Sequence, residues 1–420
     1  MATMNALPHF RNALSGPKAG MRLVLITREQ DMTQQQTPTR PVQSLSLADR
    51  HLTLMTPHRE SRYHYIWLRD NCWCDECRVA QSAERRIYTA DIPAHIAPLE
   101  AHLDEDVTTL NIQWSDGHES SFSLRWLAAN DYSNGAGEPS PAATLWTSSL
   151  GSPPRFDHGE VLGRPDVQLA YLDALREYGA AIVSNTPSVD GEVARFAEVV
   201  GHVRETAFER VHNVRHDPQG YNVAHTPLEL KPHTDLPSYH WPPSIQLLHF
   251  LVNESSGGES TLVDGWAVLA DLRRENPAAF ETLCRVPVTF QLFSEDEDTR
   301  ATASLVQLDT SGRVQTLRFS NQLALPLHAP FEDVGEFYDA YRLLGQMIDS
   351  DHYKIVFKCH SGDLLTVHSH RVLHGRKAFD PESGARHLQD VYMEYDDLMD
   401  RHNVLSGTHK PMPSTGVDLK

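Results

Sequence analysis

The chain has 420 residues, more than one average domain, so two folding units are expected. With 40% hydrophobic and 22% charged residues it has the composition of a globular protein, and no apolar run of about 18 residues marks a membrane span. A formal net charge of −19 excludes the basic footprint of a nucleic-acid binder and argues against an anionic membrane surface as partner.

Residues 1–45 contain Gln34-Gln35-Gln36, scattered prolines and little apolar periodicity, which predicts a disordered extension. Acidic residues are missing before Glu29, a faint transit-peptide feature that nothing else supports, so the cytoplasm is the expected compartment. The first folded unit is expected over residues 46–145. In it, Tyr63–Leu68 is aromatic-rich and predicts a strand. That segment runs into Cys72, Cys74 and Cys77, three thiols within six residues, which can wrap one tetrahedral ion once a fourth ligand arrives. Val107–Trp114 predicts another strand, followed by the turn Ser115-Asp116-Gly117 and then His118, which is placed to close a Cys3His zinc site. Such a site has no open coordination position and supplies folding free energy instead of chemistry. Five cysteines in this arrangement do not resemble a secreted disulfide framework.

Gly135–Pro154, rich in Gly, Pro and Ser, predicts a linker to a second unit over residues 155–405, with a flexible tail at 406–420. Val167, Leu169, Leu172 and Leu175 recur at nearly helical spacing up to Gly179; Ala180–Val183 follows as a buried strand, and Glu192–Val200 as a helix stopped by Gly201. From Ile245 strands accumulate: Ile245–Phe250, Thr261–Asp264, Val286–Phe290, Ala303–Leu308, Val314–Phe319, Tyr353–Cys359, Asp363–Val367 and Leu388–Tyr395. Two helices, Trp266–Glu275 and Val334–Asp349, interrupt them. Many short strands with wide insertions fit a double-sheet jelly roll better than a parallel α/β sheet. The sequence has no G-x-G-x-x-G, P-loop or G-x-S-x-G, so nucleotide-binding and serine-hydrolase readings lose their usual support.

Chemistry concentrates in Lys231–Leu248. There His233-Thr234-Asp235 offers an imidazole and a carboxylate one residue apart, which an extended strand points to the same side. With one further histidine they make the facial triad of a non-haem iron(II) oxygenase. His368, His370 and His374 compete for that third place. His240, His249 and His387 read as packing or surface residues.

His233-Thr234-Asp235, Val372-Leu373-His374-Gly375-Arg376 and Ser383–Leu388 together resemble the iron(II), 2-oxoglutarate-dependent dioxygenases of the taurine-dioxygenase superfamily. The closer resemblance is to its gamma-butyrobetaine and trimethyllysine dioxygenase subgroup, whose N-terminal zinc domain carries WLRDNC as Trp67–Cys72 does here. It covers roughly residues 46–405. It implies a mainly β fold with helices: a double-stranded β-helix (jelly-roll) catalytic core with flanking helices, plus a small N-terminal zinc-binding β domain. His233, Asp235 and His374 are the implied iron ligands, with 2-oxoglutarate and O2 as co-substrates and a structural Zn(II) on the cysteines. Arg386 is the implied anchor of the distal 2-oxoglutarate carboxylate, a role that suits a planar guanidinium, with Ser260 beside it and Arg376 as the other candidate.

The subgroup holds a trimethylammonium head in an aromatic cage. By position the cage falls on Phe208, His212, His225 and Tyr392, with Asn222 and Asn321 as further polar pocket residues. Two imidazoles make a poor face for a cation and can donate hydrogen bonds to an anionic group instead, a departure from the pattern. The implied reaction is hydroxylation of an unactivated C–H bond in a small polar or zwitterionic metabolite that resembles an amine, betaine or amino acid. Relatives that halogenate carry a small residue in place of the carboxylate, so the intact Asp235 favours hydroxylation. Butyrobetaine hydroxylation to carnitine, or desaturation on the same iron, are the alternatives; a non-catalytic, zinc-anchored binding protein is the reading from another class. A homodimer acting on a small molecule, with neither nucleic acid nor membrane as partner, is expected.

Overall fold

The computed structural model describes residues 42, 44–133, 143–216, 223–295 and 297–408. The expected extension before Val42, the tail beyond residue 408, the first part of the linker and Asn222 lie outside the described residues.

Eight strands enclose the site: β1 (His212–Arg215), β2 (Leu230–His233), β3 (Ile245–Asn253), β4 (Ser260–Asp264), β5 (Lys354–Phe357), β6 (Leu364–His368), β7 (Val372–Arg376) and β8 (Arg386–Met393). One sheet runs β6-β3-β8-β1, extended beyond β6 by Ala180–Ser184 and Arg155–Asp157; the other runs β2-β7-β4-β5. Neighbours among the eight are antiparallel, and this alternation of strands between two sheets is the jelly roll expected from the sequence. β3 lies between β6 and β8 and is buried along almost its whole length, which is why it reads as a nearly continuous apolar run.

Flanking helices close the outer faces. Pro165–Tyr178 starts with proline in its first turn and ends at Gly179, whose φ of +72° only glycine adopts without strain. Between β4 and β5 the chain inserts helices Gly265–Glu275, Pro277–Arg285 and Phe331–Ile348 with two hairpins, which share a core of their own. The side chains of Asp264 and Asn276 cap the first two of these helices by accepting from Trp266 N and Ala279 N. The hairpin Pro287–Phe293/Asp298–Ser304 brings Leu292 and Phe293 to the mouth of the cavity.

The N-terminal segment forms two three-stranded sheets around a separate core that includes Leu52, Tyr63, Leu110, Trp114 and Phe122. Three local expectations need correction. The predicted strand Tyr63–Leu68 is the end of strand Arg59–His64 followed by helix Tyr65–Asp70, because its buried residues Tyr65 and Leu68 fall at helical spacing. The helix Pro277–Arg285 has no counterpart in the sequence reading. The end of the predicted linker is packed: Trp146 is buried, and its N–H donates to Asp264 Oδ2 at 3.1 Å. Arg371, between β6 and β7, pairs with the same carboxylate at 2.7 Å and donates to the carbonyls of Thr144 and Glu177.

Candidate active site

A cavity of about 340 Å³ opens between the two sheets. Because side chains alternate along a strand, Arg386, Leu388, Asp390 and Tyr392 of β8 all face it. β3 contributes Gln246, Leu248 and Phe250 in the same way.

His233 ends β2 directly opposite His374 on β7, with ring centroids 4.6 Å apart. Gly375 permits that approach, since a Cβ there would lie 2.5 Å from Leu230 O and 2.7 Å from Thr261 Oγ1. Asp235 is not on the strand as the period-two argument required. It sits in a bend after β2, followed by Leu236 at a φ of +47°, an uncommon backbone conformation for leucine. Buried Arg318 holds this bend by donating to the carbonyls of Pro237, Tyr239 and His240. The ligand atoms of His233, Asp235 and His374 nevertheless lie within 4.8 Å of one another. His233 Nδ1 is 2.9 Å from Lys231 O; donating there leaves Nε2, 3.1 Å from Asp235 Oδ1, free to bind a metal. His370 instead faces the carbonyl of Pro242, and His368 stacks on Tyr395. Neither lines the cavity.

Asp235 Oδ2 accepts from Gln246 Nε2 at 2.7 Å and from the Tyr392 hydroxyl at 2.8 Å. Burial alone would push the Asp235 carboxyl up. The imidazoles of His374 and His233, with the Tyr392 hydroxyl, overcome it and hold the group well below the usual carboxylate range. Burial pushes the His374 imidazole down to about 4, which keeps it neutral and able to bind a metal. Gln246→Leu removes one of the two donors that orient Asp235, and should weaken iron binding by about 10–100-fold. Chelator competition measures this; an unchanged iron affinity would assign the orientation of Asp235 to Tyr392 alone.

Also on the cavity wall, β7 and β8 bring Arg376 and Arg386 against Phe379, at 4.7 Å and 5.4 Å from its ring centroid. Arg376 Nη2 donates to Thr226 O, whereas among the described residues the Arg386 side chain has no hydrogen-bond or ion-pair partner, and its Nε is buried. Burial, with Arg376 beside it, pushes the Arg386 guanidinium down to about 9. A guanidinium keeps its proton at neutral pH all the same, so a buried and a partly buried cation side by side on the cavity wall favour an anionic ligand, and a dicarboxylate fits. Ser260 lies across the sheet from Arg376 and also lines the cavity, with its hydroxyl toward Cys359 at 3.9 Å.

The remaining sequence-predicted pocket residues separate. Phe208, His212 and Tyr392 line the cavity. His225 does not: it lies behind His212, edge-on at 5.9 Å, with Nδ1 toward Arg215 O. Asn321 is also outside; it is exposed and accepts from the Tyr341 hydroxyl. Both assignments rested on sequence position, and the backbone turns those side chains elsewhere.

Residues 143–392 match the family model described as taurine catabolism dioxygenase TauD, TfdA family. The gamma-butyrobetaine dioxygenase of Pseudomonas sp. (strain AK-1) is 36% identical over 351 residues, covering 83% of this chain and 91% of the relative. The chain belongs to the TauD, TfdA family. It is an iron(II), 2-oxoglutarate-dependent dioxygenase. The trimethyllysine dioxygenase of Gallus gallus is 28% identical over 406 residues, 94% of this chain and 96% of the relative. Among solved structures, a taurine dioxygenase from Burkholderia xenovorans is similar at a TM-score of 0.45 and 15% identity, covering 61% of this chain and 91% of its own. An asparagine oxygenase is similar at a TM-score of 0.44 and 16% identity, covering 55% and 80% respectively.

Ahead of the TauD, TfdA segment, residues 44–128 match the model named gamma-butyrobetaine hydroxylase-like, N-terminal. There the thiols of Cys72, Cys74 and Cys77 lie 3.3, 3.5 and 3.6 Å from His118 Nε2. His118 follows the turn that joins Thr109–Trp114 to Glu119–Ser123, and its Nδ1 faces Glu76 at 3.5 Å. Arg69 ties the cluster together, donating to Cys77 Sγ at 3.4 Å and to Asp116 at 2.8 Å. Three thiols and an imidazole converging on one point suit a tetrahedral ion such as zinc.

Two cavity residues escaped the sequence reading. Gln246 Nε2 bridges Asp235 and Asp390, and Asp390 is buried beside His212. A signal was available for Gln246, a polar residue in a largely apolar strand, since a buried polar group requires a partner; Asp390 sits among the polar Arg386, His387 and Gln389 and carried no such signal.

Proposed function

We infer that this dioxygenase hydroxylates an unactivated C–H bond of a small zwitterionic metabolite. The observation that carries the reading is one cavity lined both by the His233, Asp235 and His374 cluster and by the Arg386 guanidinium, whose buried Nε has no partner among the described residues. The three side chains hold iron(II), and Arg386 pairs with the distal carboxylate of 2-oxoglutarate, with Arg376 and Ser260 beside it. With these groups bound, reduction of O2 coupled to oxidative decarboxylation of 2-oxoglutarate to succinate and CO2 supplies the oxidising power. The chain supplies position and dryness. Gln246 and Tyr392 orient Asp235, while Leu236, Leu292 and Leu323 give the substrate side an apolar wall that limits water. Butyrobetaine hydroxylation is the second reading, supported by the 36% identity to a gamma-butyrobetaine dioxygenase.

The N-terminal core and its Cys72, Cys74, Cys77 and His118 cluster support a zinc-holding unit over about residues 46–145, ahead of a catalytic unit over about 155–405. The cytoplasm is the compartment proposed, supported by five cysteines that are all free thiols. No described helix is long and apolar enough to cross a membrane.

The reading is tested by O2 consumption with Fe(II) and 2-oxoglutarate across a panel of zwitterions. Stimulation by none of them, with no 2-oxoglutarate consumed, would overturn it. Arg386→Ala should raise the apparent constant for 2-oxoglutarate steeply, because losing a charge-assisted bidentate pair at a desolvated site costs roughly 2–5 kcal/mol. Substrate affinity should change less. An unchanged 2-oxoglutarate dependence would move the anchor to Arg376.

A further inference from the structure

The substrate side of the cavity sets a histidine against a buried carboxylate, a pair outside the metal-ligand cluster itself. β1 and β8 pair so that His212 stands directly opposite Asp390, and His212 Nδ1 lies 3.0 Å from Asp390 Oδ1. The Asp390 side chain is only 2% exposed, and its other oxygen accepts from Gln246. A carboxylate this deeply buried needs a cation, and His212 is the one the structure sets against it. The other charged groups that act on His212, Asp235 and Glu209, are also acidic, and their combined effect with Asp390 raises its affinity for a proton against the opposing effect of burial.

The imidazole is stacked on Phe208 with centroids 4.7 Å apart and planes inclined by 17°. A cation over an aromatic face is favourable, so the protein's own side chain occupies the position a ligand's ammonium would take on that ring. The second ring nitrogen, Nε2, is buried and has no partner among the described residues. In an imidazolium both nitrogens are donors, so Nε2–H is a buried donor in need of an acceptor.

We propose that the His212–Asp390 pair selects substrates carrying an oxyanion, such as a carboxylate, phosphonate or sulfonate, which accepts from His212 Nε2–H. This rests on the dioxygenase reading above and names the end of the zwitterion that enters this lobe. A quaternary ammonium has no acceptor to offer Nε2–H, and it meets a cation already seated on Phe208. The substrate's ammonium therefore points away from His212.

Calorimetry on the full chain, loaded with Fe(II) and 2-oxoglutarate under argon, tests the proposal with two probes, butanoate and butyltrimethylammonium. Butanoate is expected to bind at least about tenfold more tightly, a difference of about 1.4 kcal/mol. In the double variant His212→Phe with Asp390→Asn, which removes both charges and keeps a ring against Phe208, that preference should vanish or reverse while 2-oxoglutarate still binds. Butyltrimethylammonium binding as tightly as butanoate to the wild type overturns the inference, as does an unchanged preference in the double variant. The wild-type comparison decides the matter should that variant fail to fold. A wild type that binds no 2-oxoglutarate with Fe(II) overturns the dioxygenase reading and this inference with it; a cation preference in loaded protein overturns the inference alone.

Discussion

His374→Ala and Asp235→Ala should each lower 2-oxoglutarate turnover by about a thousandfold or more, equivalent to about 4 kcal/mol in the barrier. Either change leaves two donors where three converge within 4.8 Å. His233→Ala should behave in the same way. The fold should survive, since all three side chains line a cavity and none belongs to the apolar clusters. Asp235→Ala carries an added cost: the Gln246 amide and the Tyr392 hydroxyl lose an acceptor in a buried setting, at about 1–3 kcal/mol for each donor left unsatisfied. His374→Ala is therefore the cleaner variant. His370→Ala is the control, because His370 faces the Pro242 carbonyl away from the cavity. Metal content, turnover and melting temperature measured together separate loss of iron from loss of fold. Full turnover in His374→Ala together with loss in His370→Ala would show that the distal ligand is His370.

Cys77→Ser, or exhaustive chelation of the wild type, should unfold the N-terminal segment. A structural zinc site contributes about 10–16 kcal/mol of apparent folding free energy, as large as the roughly 5–15 kcal/mol that stabilises a typical domain. Without the ion, three thiols and an imidazole crowd together beside Arg69, and the core of this segment is small. Trp67, Trp114 and Trp126 belong to that core, so intrinsic fluorescence reports its loss directly. Elemental analysis should find one zinc per chain, retained in His374→Ala when iron is lost. Folded, freshly purified protein without zinc would sink this expectation.

The two side-chain clusters proposed to hold metal were legible in the sequence because most of their members are close neighbours in the chain. Cys72, Cys74 and Cys77 lie within one short loop, His118 follows a recognisable hairpin turn, and His233 and Asp235 are two residues apart. Side-chain chemistry at such spacing implies convergence before any fold is known. Even so, the strand argument does not describe how Asp235 comes beside His233, since a bend held by Arg318 supplies the geometry. His374 needed its Gly-Arg context, and the structure gives the reason: only glycine lets β2 lie that close to β7.

The substrate lobe was decided by tertiary pairing alone. Gln246 and Asp390 are 144 residues apart and meet because β3 and β8 pair with Gln246 opposite Tyr392 and Leu248 opposite Asp390. His212 joins them through the register of β1 on β8. A shift of one residue in either register would turn these side chains out of the cavity, and nothing local to a strand specifies its register with a distant partner. His225, in a short 3-10 turn, and Asn321, in a turn after Arg318, were matched by position along the chain and face elsewhere. By itself the sequence determined which atoms can bind metal, because that follows from residue type and short spacing. Which atoms can meet a substrate follows from how distant strands align, and only the folded chain decides that.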